Sequence, residues 1–251
     1  MASNPAAEPL SSPDAHIAPI DGGPDCSYCN NRRFVIDAQG ALKPCPECGV
    51  AATWKVQAVD AFSSRSGAAT KQTFFNFKTT FDGRQDELLH DCLESAEEFA
   101  AEPAGHWLVL WGERGNGKTH LCAAVANHLI AGGTAALFIT MPDLLAALRQ
   151  AMDLQNNTGQ ESYTGRMQTF KTAPVLILDD LGAEGASAWS DGVLFEILDY
   201  RYRNRLGTMI VTNCALQEFD PRIASRMQDA ALATVIENRA PDYRLRPIDK
   251  R

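Results

Sequence analysis

Five short apolar runs punctuate the chain beyond its first hundred residues: WLVLW at 107–111, ALFIT at 136–140, VLILD at 175–179, TMIVT at 208–212 and LATVIE at 232–237. Each has the length of a strand. VLILD is apolar up to its last residue, as a strand buried on both faces should be. The stretches between them repeat at helical spacing. Arg84 to Ala101 is expected to form a helix ending before Pro103, and Leu121, Val125, His128 and Leu129 recur along the next. Pro142 suits the first turn of a helix with Leu144, Leu145 and Leu148 on one side. A further helix from about Ser190 buries Leu194, Ile197 and Leu198. Strands alternating with helices predict an α/β fold: a parallel five-stranded sheet flanked by helices, from Phe74 to the end of the chain.

The pattern before Phe74 is different. Residues 1–24 are rich in Pro, Ala, Ser and Gly without apolar periodicity, which predicts a disordered tail. Residues 25–50 form a small Cys-rich block, and 51–73 a weakly patterned linker; no internal repeat is visible. The domain expected over 74–251 is long enough for one buried core.

Charge narrows the choice of partners. With 23 Lys and Arg against 31 Asp and Glu, the formal net charge is −8, which opposes a broad basic surface for duplex DNA and leaves room only for a local nucleic-acid contact. No apolar run approaches the roughly 20 residues of a spanning helix, and the opening residues lack the basic and apolar regions of an export signal. A cytoplasmic protein without a membrane partner is expected. In a reducing compartment, seven cysteines favour metal binding over disulfides. Cys92, Cys122 and Cys214 lie scattered in periodic segments and are expected to be small buried apolar residues.

The turn after the first long strand carries chemistry. Gly112, Glu113, Arg114, Gly115, Asn116, Gly117, Lys118 and Thr119 complete the pattern G-x-x-x-x-G-K-[ST] between a predicted strand and a predicted helix. Glycines let successive backbone N–H groups face phosphate oxygens, and a helix N-terminus adds positive potential. Lys118 should reach the β- and γ-phosphates of ATP, and Thr119 should offer its hydroxyl to Mg²⁺. Asp179 and Asp180 end an apolar strand some 60 residues later, where a parallel sheet brings carboxylates towards the phosphates. Asp179 suits a residue that holds Mg²⁺ through water, and Asp180 a base that orients the attacking water. A single Asp before Gly182 would instead be an ordinary turn residue, and so would Asn213 after its strand. The adjacent carboxylates, and the place of Asn213 after a strand and helix, point to a site in which the Asn213 amide touches the γ-phosphate or the attacking water.

These segments together resemble a known family: the DnaC/DnaI-type replicative helicase loaders and the related IstB-type transposition ATPases, within the AAA+ P-loop ATPases. The resemblance covers about Phe74 to Arg246 and rests on WLVLWGERGNGKTHLCAAVANHLI, VLILDDLGAE, LFEILDYRY and IVTN. His120 after Lys-Thr is part of it and is included with the nucleotide-binding residues. The resemblance implies that Arg226 in RIASRM is an arginine finger reaching the γ-phosphate of a neighbouring subunit, and that Arg244 in DYRLR senses nucleotide within its own subunit. It implies single-stranded DNA contact at Ser187 and Trp189, although Trp189 before an apolar helix equally suits the core. Two features depart from the family. Asp180 stands where many AAA+ proteins use Glu, which implies slow hydrolysis or an ATP-binding switch, and only 25 residues follow Arg226, so any lid is minimal. The function implied is an ATPase that forms a homo-oligomer in the ATP state around single-stranded DNA and delivers a replicative ring helicase. The alternatives are an IstB-like regulatory ATPase of transposition and a nucleotide-binding zinc adaptor without turnover.

The Cys-rich block has a separate reading. Cys26 and Cys29, then Cys45 and Cys48 after fifteen residues, give the spacing of a tetrahedral Cys₄ Zn²⁺ site. A redox dithiol is the competing reading. FVID and Gly40 suggest a small hairpin between the two pairs. So short a block lacks a core, and the metal should supply its folding free energy. By resemblance, such an N-terminal appendage docks on the helicase.

Overall fold

The structure, a computed structural model, describes residues 34–36, 42–44, 71–81, 84–132, 134–153, 162–182 and 187–245. Its chain separates into two compact units, residues 1–60 and 61–251. In the first, β1 (Phe34–Ile36) pairs antiparallel with β2 (Leu42–Pro44), the hairpin suggested between the two cysteine pairs. Cys26, Cys29, Cys45 and Cys48 lie outside the described residues, as does the expected tail.

Among the described residues of the second unit, the first elements are a 3₁₀ turn, Phe74–Asn76, and a short antiparallel pair, β3 (Thr80–Phe81) with β4 (Arg84–Gln85). The helix expected from Arg84 therefore starts later, as α1 (Glu87–Ala101). Its start is chemical: the Asp86 carboxylate accepts a hydrogen bond from the Leu89 N–H at 3.2 Å and caps the helix. The strand β5 (Trp107–Trp111) leads through the Gly-rich turn into α2 (Lys118–Ala131). There follow β6 (Ala136–Thr140), α3 (Met141–Asp153), α4 (Tyr163–Thr172), β7 (Val175–Leu181), α5 (Ala188–Arg203), β8 (Gly207–Thr212), α6 (Pro221–Met227) and β9 (Ala233–Glu237).

All five strands of the main sheet are parallel, in the order β6-β7-β8-β5-β9. Leu108, Leu110, Ile177, Met209 and Val211 from its strands pack with Leu121, Cys122, Val125 and Leu129 of α2 and with Cys92, Ala96 and Phe99 of α1. Of the three scattered cysteines, Cys92 and Cys122 are buried, whereas Cys214 is half-buried. No described helix is long and apolar enough to cross a membrane.

The helices α4 and α6 had no clear apolar period. Both begin on side-chain caps instead: Ser162 Oγ accepts from Gly165 N–H, and Asp220 accepts from Arg222 N–H with Pro221 in the first turn. Between α4, α5 and β8 lies Arg201, fully buried and, among the described residues, without a carboxylate partner. Its guanidinium donates to the carbonyls of Phe170, Lys171 and Ala173 at the end of α4, to Gly207 O and to Thr208 Oγ1, at 2.6 to 3.2 Å. The negative end of α4 thus receives its cap from another helix. Burial pushes the Arg201 guanidinium down to about 9.

Candidate nucleotide site

Parallel strands deliver their following loops to one edge of the sheet, so the turns after β5, β7, β8 and β9 converge. They line a cavity of about 660 Å³. Arg114 to His120 line it, together with Asp180, Asn213 and Arg244 and with Phe77, Lys78 and Tyr243.

The Gly-rich turn is held from behind by the segment after β9. Asn116 Nδ2 donates to Asn238 O at 2.7 Å, Asn238 Nδ2 returns a bond to Asn116 O at 3.1 Å, and Tyr243 N–H donates to Gly115 O at 2.8 Å. Gly112 has φ +132°, and a Cβ there would lie 2.2 Å from the Asn238 carbonyl oxygen, a backbone atom that has little room to yield. This close backbone approach explains glycine at the first position of the motif. Gly117, at the start of α2, gives the helix no side-chain cap, and its orphan N–H groups remain open to an anion.

Lys118 is buried and folds back onto the turn. Its Nζ donates to Gly112 O at 2.9 Å, to Glu113 O and to Asn116 Oδ1 at 3.0 Å. Burial pushes it down to about 8, opposed by the charge of Asp179. Asp179 is 1 % exposed, and burial, with the neighbouring Asp180, pushes its carboxyl up to about 6; a hydrogen bond from Thr119 works in the other direction. Asp179 Oδ1 accepts from Asp180 N–H at 2.9 Å, while Oδ2 is buried without a hydrogen-bond partner among the described residues. An orphaned anionic oxygen beside a threonine hydroxyl is a donor set that fits a hard divalent cation such as Mg²⁺.

β7 runs two residues beyond the expected VLILD, with an irregular register against β8 between Leu178 and Leu181. Asp180 takes φ +52°, an uncommon conformation outside glycine, which turns its carboxylate to the cavity while Asp179 stays beneath. On the adjacent strand end, Thr212 is fully buried; its hydroxyl donates to Leu181 O at 2.7 Å and accepts from Cys214 N–H at 2.9 Å. Thr212 therefore sets the loop that carries Asn213. Neither the linking role of Thr212 nor Asn238 was recognised in the sequence; a polar residue closing a strand was the available signal.

The remaining candidates lie in different settings. His120 lines the cavity, but its Nε2 lies 3.0 Å from Thr73 O and its ring meets Phe77 edge-on, so it anchors the entering segment to α2. Arg226, Ser187 and Trp189 are not among the residues lining the cavity. Arg226 is bonded to Asp199 on α5. Ser187 caps α5 reciprocally with Ser190. Trp189 is half-buried, with the Arg149 guanidinium 4.6 Å from its ring centre.

Comparison with known proteins places the chain. The model of the IstB-like ATP binding proteins matches residues 68–241. The replicative helicase loader DnaC of Escherichia coli K12 is 26% identical over 157 residues, covering 62% of this chain and 61% of that protein. The replicative helicase loader DnaI of Bacillus subtilis 168 is 34% identical over 115 residues, covering 45% and 35%. The match thus spans about three fifths of the former relative and a third of the latter. A crystal structure of the DnaC helicase loader superposes with TM-score 0.54 at 26% identity, over 69% of this chain and all of that one.

Proposed function

The chain belongs to the family of IstB-like ATP binding proteins, and from that premise we propose that it is an AAA+ ATPase that loads a replicative ring helicase onto single-stranded DNA. The observation that carries this reading is the division of charged groups. Lys118, Asp180 and Asn213 line one cavity with Asp179 buried beside them, whereas Arg226 on α6 lies outside that lining, bonded to Asp199 of α5, which suits a residue acting on a neighbouring copy. A homo-oligomer in the ATP state is the arrangement that completes each site.

In the proposed reaction, the N–H groups of residues 112–119 and Lys118 Nζ bind the phosphates, with Lys118 exchanging its loop carbonyls for phosphate oxygens. Bound Mg²⁺, held by Asp179 and Thr119, would neutralise charge developing between the β- and γ-phosphates. Asp180 and Asn213 orient a water against the γ-phosphorus. Its oxygen forms the new P–O bond, the bridging P–O bond breaks, ADP leaves, and the water's proton passes towards the Asp180 carboxylate. Arg244 steadies the phosphates within the subunit, and Arg226 of an adjacent copy stabilises the transferred group. Asp180, one methylene shorter than Glu, implies slow turnover.

Trp189 is the base-stacking candidate for single-stranded DNA, assisted by Ser187 at the helix start; such stacking contributes about 1 to 3 kcal/mol per base. Cys26, Cys29, Cys45 and Cys48 would hold Zn²⁺ around the β1–β2 hairpin, and residues 25–50 would form the surface that docks on the helicase, joined by 51–73 to the ATPase domain at 74–251. A cytoplasmic location follows from this work. The experiment is phosphate release with helicase and single-stranded DNA added separately. Stimulation by either, abolished in Lys118→Ala, with co-purification of the helicase, supports the loader; no helicase binding and no response of assembly to ATP or single-stranded DNA refutes it. The family match also favours a second reading, a regulatory ATPase of transposition, which instead requires assembly on duplex DNA and a transposase partner. Phosphate release abolished by Lys118→Ala would remove the third reading, a nucleotide-binding zinc adaptor without turnover.

A further inference from the structure

Arg226 is held by one face of α5. Its guanidinium carbon lies 5.0 Å from the ring centre of Phe195 and 5.5 Å from that of Tyr202; Nη2 is bonded to Asp199 Oδ1, and Nη1 donates to Arg222 O at 2.7 Å. Phe195, Asp199 and Tyr202 are spaced four and three residues apart, so they share a side of the helix. Tyr202 is itself fixed: its hydroxyl donates to Asp229 Oδ2 at 2.6 Å and its ring meets Trp107 of β5 edge-on. Asp199 also receives Arg203 at 2.8 Å on its other oxygen. Although desolvation works against it, the bonds from Arg226 and Arg203 hold its carboxyl below the usual carboxylate range. Arg226 Nε is buried without a hydrogen-bond partner among the described residues, and the side chain is 22% exposed.

A free arginine samples many rotamers, and a donor that must meet a phosphate in a neighbouring subunit gains by losing that freedom beforehand. We propose that Asp199 is a positioning residue, holding the Arg226 guanidinium over Phe195 and Tyr202 in the pose in which it meets the γ-phosphate bound by a second copy of this chain. The inference rests on the reading of Arg226 as a residue acting between subunits.

The test uses the full chain and compares ATP turnover, KM for ATP, melting temperature and assembly by light scattering in Asp199→Asn, Asp199→Glu and Arg226→Ala. Asp199→Asn is expected to lower kcat by about tenfold to a hundredfold, with KM and assembly unchanged and a melting temperature lowered by the lost ion pairs but still well above the assay temperature. Asp199→Glu should recover part of the loss. Arg226→Ala should be inactive alone and recover turnover when mixed with Lys118→Ala, because each copy then contributes the half the other lacks. Parental or raised kcat in Asp199→Asn overturns the proposal, as does a fall in kcat fully accounted for by the fraction of chain unfolded at the assay temperature. Arg226→Ala with parental kcat overturns the inter-subunit reading instead, which keeps the two failures apart.

Discussion

Asp179 and Lys118 are buried opposite charges, and both are shifted towards neutrality. For Asp179 the folded pKa of about 6 lies above the ordinary 3.8, so the folded protein binds the proton more tightly. The penalty for burying its charge is absent below about pH 4, grows between 4 and 6 and is full above 6. Asp179→Asn should therefore raise the stability of the nucleotide-free protein at pH 7 by about 3 kcal/mol, with far less gain at pH 4, as read by denaturant unfolding at the two pH values. The same variant should lose the Mg²⁺-dependent part of nucleotide binding, measured by titration with and without the ion. At Gly112 the physics is steric: alanine would carry a Cβ into the Asn238 carbonyl at φ +132°. Gly112→Ala should lower stability by at least about 2 kcal/mol and abolish nucleotide-induced thermal shift. Residue identities along 112–119 were fully legible because the motif is local. The reciprocal Asn116–Asn238 pair was not, since 122 positions separate its members.

Elements fail or succeed as predictions according to what starts them. α2 and α3 announce themselves by apolar period, whereas α4 and α6 depend on caps and on neighbours. Arg201 shows how strongly neighbours matter: it closes α4 from α5, and five hydrogen bonds replace the water it lost. Arg201→Met should leave four buried carbonyls short of a donor and lower unfolding free energy by about 3 kcal/mol or more. Arg201→Lys should recover little of this, because an ammonium lacks the planar fork that spans them. Denaturant midpoints of the two variants decide it. The irregular end of β7 belongs here too. A regular strand would turn Asp179 and Asp180 to opposite faces; the irregularity, with Asp180 at φ +52°, leaves one carboxylate buried and one at the cavity.

At the scale of the molecule, the proposed nucleotide and zinc sites fall in separate units and can be tested separately. ATP with Mg²⁺ at one hundred times its dissociation constant should stabilise the 61–251 unit by about 2.7 kcal/mol, visible as a melting shift lost in Lys118→Ala. The 1–60 unit should bind one zinc per chain through its four paired cysteines, by metal analysis. If the proposed zinc module docks on the helicase, chelation should abolish that docking while leaving the nucleotide-induced shift of the 61–251 unit intact; loss of both together would contradict two independent modules.

The sequence by itself determined the parallel α/β fold, because buried strands must be apolar and crossover helices must be amphipathic, and both are written in short-range order. It also marked the candidate phosphate-binding turn, whose glycines, lysine and threonine fall within eight residues. Only the tertiary structure decided which long-range groups meet that turn. It brought Asn238 behind Gly112, bonded Thr212 beneath the Asn213 loop to Leu181 O, tied His120 to Thr73 and fastened Arg226 to Asp199. These contacts join residues far apart along the chain or on successive elements. Their partners are chosen by strand order and helix packing, which no local pattern of residues encodes.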